Sequence, residues 1–529
     1  MSSTVDRLVP SALLACAFTL GAGGALADNP IVQTNYTADP APMVHEGRLY
    51  LYTSHDEDVT VNDFFTMNDW RLYSTVDMVN WTDHGSPASY RTMSWGTGDA
   101  WAPQAIPRNG NVYLYVPVNN STGSKIGVLV ADNPIGPFTD PLGRALISTG
   151  SGNIDPTVFI DDDEQAYLYW GNPNLYYVKL NSDMTSFQGS PAQTNLTAEG
   201  FGPRTGGGSS AYQEGPWFYK RNSLFYVVFA ADGVPEKLSH TTSSNPLGPW
   251  TFAGDIMAKQ NGAGSSFTNH PGVIDYKGKS YFFYHNGALP GGGGYKRSVC
   301  VEEFTYGADG KIPSIQPSQQ GPDAIETLNP FAQVEAETIA FSAGLKTENC
   351  MDSGGGMNVT SIGNGDYIKV KNVAFLDGVT SFEARVSSSA DNAEIELRLD
   401  SQNGTLLGTC DVSGTSSWTT KTCAVSGGSG THDLFLKFSG GNGDLFKFNW
   451  WKFDGPNEGG GSGGAGGTGG TAGLGGAGGG SAGAVSGSGG LGGSAGSGNG
   501  GTATGGAPGA AGGTGAVAGG GASGTGGLT

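Results

Sequence analysis

The apolar positions of this chain alternate with polar ones in short bursts, and the bursts themselves repeat. Five stretches share one plan: a polar, charged or aromatic first residue, an apolar strand, a turn, and an aromatic-rich second strand. They read ADPAPMVHEGRLYLYTS from Ala38, WAPQAIPRNGNVYLYVP from Trp101, DPTVFIDDDEQAYLYWG from Asp155, EGPWFYKRNSLFYVVFA from Glu214 and HPGVIDYKGKSYFFYHN from His270. Period-two alternation around EG, NG, DDDE, RN and KG turns predicts a β-hairpin in each. Their spacing of 54–62 residues fits one four-stranded propeller blade with its loops. A second landmark recurs between them, DMVNWTDHG at Asp77, NPIGPFTD at Asn133, DMTSF at Asp183 and NPLGPWT at Asn245: a turn followed by an aromatic suited to packing between blades. Helical periodicity is nearly absent here, so residues 28–328 are expected to form a five-bladed β-propeller.

After residue 330 the pattern changes. Segments such as SFEARVSSS, AEIELRLDS and HDLFLKFSG alternate strictly between Gly/Ser turns. Residues 331–454 are expected to fold as a β-sandwich of jelly-roll type. From 456 to 529 the chain is almost entirely Gly, Ala, Ser and Thr, with no charge or aromatic after Gly459. Such a segment has too little apolar surface to offset the entropy of ordering, and a disordered tail is expected.

Composition narrows the function. A net charge of −20 argues against nucleic acid or an anionic membrane as partner. No apolar run after the N-terminus is long enough to span a bilayer. Residues 1–27 resemble a signal peptide, with Arg7, an apolar Leu8–Leu20 and Ala25-Leu26-Ala27 as cleavage site, so export to the medium or cell surface is expected. The alternative is a lipoprotein anchored through Cys16 in LLAC. Cys410 and Cys423 flank the turn-rich DVSGTSSWTTKT, and a disulfide between them suits an exported chain.

Blades are arranged around an axis, so the first residue of each copy faces the centre: Asp39, Trp101, Asp155, Glu214 and His270. Three carboxylates from three blades suit acid–base hydrolysis of a glycosidic bond, at the wider separation an inverting mechanism needs. One carboxylate activates water, a protonated one serves the leaving oxygen, and the third raises the acid's pKa by like-charge repulsion. Each has a structural alternative. Asp-Pro pairs are common turn formers, and Glu214 has Arg204 and Lys220 as ion-pair partners in reach of sequence. Asp161-Asp162-Asp163 occupies a hairpin turn and reads as solvated, not as a metal cluster.

Through TADPAP at 37–42, NIDPTVFIDDD at 153–163, EGPW at 214–217 and NHPG at 269–272, residues 28–328 resemble glycoside hydrolase family 43. The resemblance implies Asp39 as general base, Glu214 as general acid and Asp155 as the residue that tunes and orients the acid. It implies a channel calcium held through water near His270, with no cofactor needed for the chemistry. It also implies an arginine touching the terminal sugar, for which Arg297 in GYKRS is the match; an ion pair with Glu302 or Glu303 is the alternative. Trp101 is expected as a sugar platform, since aromatic faces suit the apolar faces of sugars. The loop from Asp56 to Met67 and the run Gly291–Gly294 are expected to shape the pocket.

The VEAE start and FKFNWWKF end of the second unit resemble a family 6 carbohydrate-binding module. That implies a structural calcium on Glu335, Glu337 and, with a changed residue type, Asn449. It also implies a sugar cleft with Tyr367 and Trp418, although Lys447 stands where the family has asparagine and Trp418 reads equally as core. The implied activity is a monomeric hydrolase removing arabinofuranose side chains from arabinoxylan; a β-xylosidase and a non-catalytic lectin are the alternatives.

Overall fold

The strand that opens the first blade, Tyr36–His45, carries seven consecutive buried residues, because both of its faces lie against protein. Four antiparallel strands make this blade: Tyr36–His45, Arg48–Asp56, Asp69–Thr75 and Trp81–Asp83. The second blade is Gln104–Arg108, Asn111–Asn120 and Gly123–Ala131, the third runs from Thr157–Ile160 to Phe187–Gln193, and the fourth from Tyr212–Arg221 to Thr251–Met257. The fifth has Gly272–Tyr276, Lys279–Asn286 and Ser298–Phe304. Its outer edge is closed by the N-terminal segment, where Ile31 N–H donates to Val299 O (3.0 Å) and Val301 N–H to Asn29 Oδ1 (3.0 Å). This computed structural model describes residues 28–149 and 152–456; the expected signal peptide, the Cys16 anchor and most of the Gly-rich tail fall outside them.

The recurring landmark proves to be an Asx turn used four times. Asp77 Oδ1 accepts from the Val79 and Asn80 amides, and Asn133 Oδ1 from Ile135 and Gly136. Asp183 Oδ1 accepts from Thr185 and Ser186, and Asn245 Oδ1 from Leu247. A side-chain carbonyl that replaces a backbone acceptor lets the chain reverse at low cost. Three of the four aromatics that follow, Trp81, Phe138 and Trp250, are buried, whereas Phe187 is half-buried. Trp81 packs on Phe283 of the fifth blade and Phe138 meets Tyr52 of the first.

Two sheets form the sandwich, one ordered Phe341–Ala343, Tyr367–Leu376, Gly430–Gly440, Ala393–Leu399, Leu406–Asp411, the other built around Val379–Ser387 and Lys447–Asp454. Between them lies an apolar core that includes Phe382, Phe438, Phe448, Trp451 and Phe453. Cys410 and Cys423 are joined by a disulfide.

Propeller and sandwich are continuous in hydrogen bonding. Thr338–Ile339 of the module pairs antiparallel with Trp81–Asp83, so the first blade gains a further strand. Asn80 and the Lys371 backbone exchange two buried hydrogen bonds (2.9 and 2.8 Å). Asp28 forms ion pairs with Lys369 and Lys371. Among the described residues no helix is long and apolar enough to cross a membrane.

Candidate active site

All five residues that open the repeats line one pocket of about 300 Å³ at the propeller axis, together with Phe64, Phe65, Asn119 and Arg297. A shared backbone device aims the carboxylates. Asp39 and Asp155 sit in the left-handed region at φ 52° and 54°, and Gly215, directly after Glu214, at φ 58°. Register shifts in the first and fourth blades fall at these same points, between Ala38 and Ala41 and on either side of Glu214. A bulge turns a side chain that would enter the blade into the channel. A Cβ on Gly215 would also stand 3.1 Å from His270 Nδ1, close enough to press on that ring.

Asp39 is enclosed by hydrogen-bond donors, the Arg297 guanidinium and two histidines. Arg297 Nη1 donates to Oδ1 (3.1 Å), Ser54 Oγ–H donates to Oδ2, and His270 Nδ1 lies 3.9 Å away. Burial pushes the carboxyl up, but the Arg297 charge, helped by the Ser54 hydrogen bond, outweighs it, and its pKa lies below the usual range. His285 Nδ1 accepts the Asp39 amide N–H (3.2 Å), which fixes the proton on Nε2, facing Thr268 O (3.0 Å). Burial and Arg297 lower its pKa to about 3, so the ring is neutral.

Arg297 pairs with neither Glu302 nor Glu303. Its Nε and Nη2 grip the fully buried Asp56 (2.8 and 2.9 Å), which leaves Nη1 for Asp39, and its guanidinium lies 4.6 Å over the Phe65 ring. Glu302 instead accepts from Tyr284 and Ser318, and Glu303 binds Lys279. The guanidinium thus borders the pocket while orienting Asp39.

Asp155 and Glu214 behave oppositely to Asp39. Burial, then Glu214 and Asp39, raise Asp155 well above the carboxylate range, although its Oδ2 accepts the Gly215 amide (2.9 Å). Burial also raises Glu214, against hydrogen bonds from Glu236 and Asn172. Glu214 does not pair with Arg204 or Lys220, which bind Gln213 and Asp161–Asp162 respectively. The pocket therefore holds one carboxylate that stays ionised and two carboxyls that resist ionisation, an arrangement suited to simultaneous base and acid catalysis.

An aromatic group rims the pocket. Phe65 meets Trp101 (5.8 Å), Tyr295 (4.8 Å) and Phe267 (6.1 Å). The Asp56–Met67 loop contributes Phe64 and Phe65, and the Gly run acts indirectly, because a Cβ on Gly294 would collide with Phe267. Sequence reasoning missed Asp56, His285, Ser54, Asn172 and Glu236. None opens a repeat; the one available signal was an Asp ending the second strand of the first copy.

In the module, Glu335, Glu337 and Asn449 lie together: Glu335 pairs with Trp450 across the strands, and the Ala336 amide bonds Asn449 O (2.8 Å). Glu337 is buried with Oε2 lacking a donor, and burial with Glu335 nearby raises its pKa. Asn449 gives its amide to Asp352 (3.0 Å). Tyr367 lies between Phe341 (6.3 Å) and Phe435 (5.9 Å) on one sheet. Trp418 precedes a strand of the other sheet, half-buried, and contacts no aromatic ring among the described residues.

The profile of glycosyl hydrolases family 43 matches residues 27–312, and that of the carbohydrate binding module family 6 matches residues 335–455. The chain belongs to glycosyl hydrolases family 43. It is 36% identical over 480 residues to an arabinoxylan arabinofuranohydrolase of Bacillus subtilis, covering 80% of this chain and 92% of that one. It is 33% identical over 487 residues to the Paenibacillus polymyxa arabinoxylan arabinofuranohydrolase, covering 82% and 75%. A xylosidase/arabinosidase of Bacteroides ovatus is 31% identical over 54% of this chain and 97% of its own. The crystal structure of the family 43 arabinoxylan arabinofuranohydrolase from Bacillus subtilis, in complex with cellotetraose, superposes with a TM-score of 0.69 at 31% identity, over 80% of this chain and 97% of that one. This family 43 chain is a glycoside hydrolase whose chemistry needs no cofactor, and it carries a carbohydrate-binding module; the lectin alternative is set aside.

Proposed function

We propose that this hydrolase removes α-L-arabinofuranose side chains from arabinoxylan with inversion. The carrying observation is the opposed ionisation of Asp39 and Glu214 in one pocket. Asp39, ionised beside Arg297, takes a proton from water attacking the anomeric carbon. Glu214, kept protonated by burial and by the nearby Asp39 charge, protonates the departing oxygen, and Asp155 fixes the adjoining Gly215 amide. Trp101 and the free N–H of Arg297 Nη1 hold the terminal sugar. Both arabinoxylan-active relatives match across propeller and module, which supports that substrate over a xylosidase reading, whose relatives match the propeller alone.

The module docks the enzyme on polysaccharide through Tyr367 and Trp418. Glu335, Glu337 and the Asn449 side-chain oxygen fit a hard cation: two carboxylates, one of them buried with an oxygen that no donor meets. Bound calcium would neutralise that buried charge. His270, neutral because burial outweighs Asp39, suits a water-held calcium in the channel. Export fits the Cys410–Cys423 disulfide, which persists in oxidising compartments.

The test is product release from arabinoxylan, followed by proton NMR of the first anomer formed. Arabinose appearing as the inverted anomer is expected. Xylose would move the specificity to xylosidase, and a retained anomer would overturn the roles of Asp39 and Glu214.

A further inference from the structure

One buried carboxyl beside the pocket has no part in the reaction described above. Glu236 is 1% exposed and precedes the third strand of the fourth blade, Lys237–Ser243. Its amide donates to Phe267 O (3.0 Å), and its Oε2 accepts the Asn269 amide (2.8 Å). Its Oε1 is buried and meets no N–H or hydroxyl donor. The side chain that bears on it most closely is the Glu214 carboxyl, near enough for each to shift the other's pKa through side-chain hydrogen bonding. The charged groups bearing on it are Glu214 and, farther off, Asp155; among the described residues no Lys, Arg or His forms an ion pair with it.

Two carboxyls bonded in this way hold at least one proton between them, since two facing anions repel, and both are protonated before Glu214 gives its own to the substrate. Burial decides which of them stays neutral once the other has lost its proton. Glu214 opens onto the pocket and accepts from Asn172, whereas Glu236 is sealed, and a sealed charge without a cation is costly.

We propose that Glu236 is the positioning residue of the acid, a neutral carboxyl whose Oε1–H donates to Glu214. With the Asn172 amide it fixes the Glu214 carboxyl plane toward the leaving oxygen. In the bond-breaking step the Glu214 O–H bond breaks and its proton passes to the glycosidic oxygen. That oxygen keeps the electron pair of the broken C–O bond and departs as an alcohol. Glu214 is left as a carboxylate, and the Glu236 hydroxyl and Asn172 amide stabilise it. This rests on the assignment of Glu214 as the acid.

The experiment compares E236A, E236Q and E214Q on arabinoxylan, whose leaving group needs a proton, and on 2,4-dinitrophenyl α-L-arabinofuranoside, whose phenolate leaves without one. E236A is expected to lower kcat on arabinoxylan by roughly 10–100-fold with KM unchanged, and far less on the aryl substrate. Its upper pH limb should move up, because the donor to the conjugate base is gone. E236Q keeps both contacts, an N–H for Glu214 and a carbonyl for Asn269, and should restore the limb and most of kcat. A downward shift in E236Q would mean that Glu236 is an anion and would overturn the proposal. So would equal losses of E236A on the two substrates. Should E236A fail to fold, the direction of the limb in the isosteric E236Q decides alone. E214Q retaining full rate on arabinoxylan would sink the acid assignment and this proposal with it; loss in E214Q with none in E236A would sink only the role of Glu236.

Discussion

The walls of the propeller channel and the interior of the sandwich both bury their side chains, yet with opposite chemistry. Strand Ala393–Leu399 alternates buried and outward residues, and its inward set joins a core of Phe, Leu, Val and Trp with almost nothing to titrate. The channel buries Asp39, Asp56, Asp155, Glu236, His270, His285 and Arg297 within one network. Apolar burial is non-directional, so the sandwich gains stability from area and shape alone. Buried charges are stable only in fixed partnerships, so the channel trades stability for defined ionisation states. The difference teaches where to look for each property: folding free energy in one region, catalysis in the other.

The sharpest way to test that contrast is Asp39→Asn, expected to lower kcat on the order of 10³–10⁴-fold without lowering the unfolding midpoint, as read by steady-state kinetics beside thermal denaturation. Phe382→Ala should do the reverse. It should cost about 3–5 kcal/mol in stability of the module by calorimetry, while kcat on an aryl arabinofuranoside stays within about twofold. A chelator should lower the module's unfolding temperature, and calcium at about 100 Kd should restore about 2.7 kcal/mol, an effect absent from Glu337→Gln. Gly215→Ala, which forces a Cβ against His270 at φ 58°, should cost about 1–2 kcal/mol and lower kcat with it. The pH profile should sharpen the picture further. With the Asp39 pKa lowered, the proposed base is ready below the usual carboxylate range; with the Glu214 pKa raised, the proposed acid keeps its proton above it. The kcat/KM bell should therefore be broader on both sides than two ordinary carboxyls would give. A lower limb above the ordinary aspartate value would contradict the role of Arg297.

Much of this is legible in the sequence. The repeat pattern points the five residues that open the copies at one axis, and all five line the pocket, because a propeller places equivalent positions at equivalent radii. The turn-plus-aromatic landmark was legible for the same reason, and the Asx geometry explains why Asp or Asn begins each copy. Other features carried no such signal. His55 and Asp56 are neighbours in one strand, yet the pleat sends Asp56 to Arg297 and His55 to Asp69 (2.6 Å). Glu236 and His285 stand in different blades, and His285 fills a place taken by Ser54, Val116, Trp170 and Phe229 in the other copies, so no repeated residue type marks it. The Thr338–Ile339 strand that extends the first blade was hidden in a segment read as part of the sandwich.

By itself, then, the sequence determined the periodic part of this protein: blade count, sandwich, and the three carboxylates that begin their repeats. Local patterning specifies these, because alternation and turn chemistry act over a few residues. Only the tertiary structure decided which carboxylate stays ionised. That choice depends on Arg297, Asp56, His285 and Glu236 arriving from distant parts of the ring, and on burial, which no local pattern encodes.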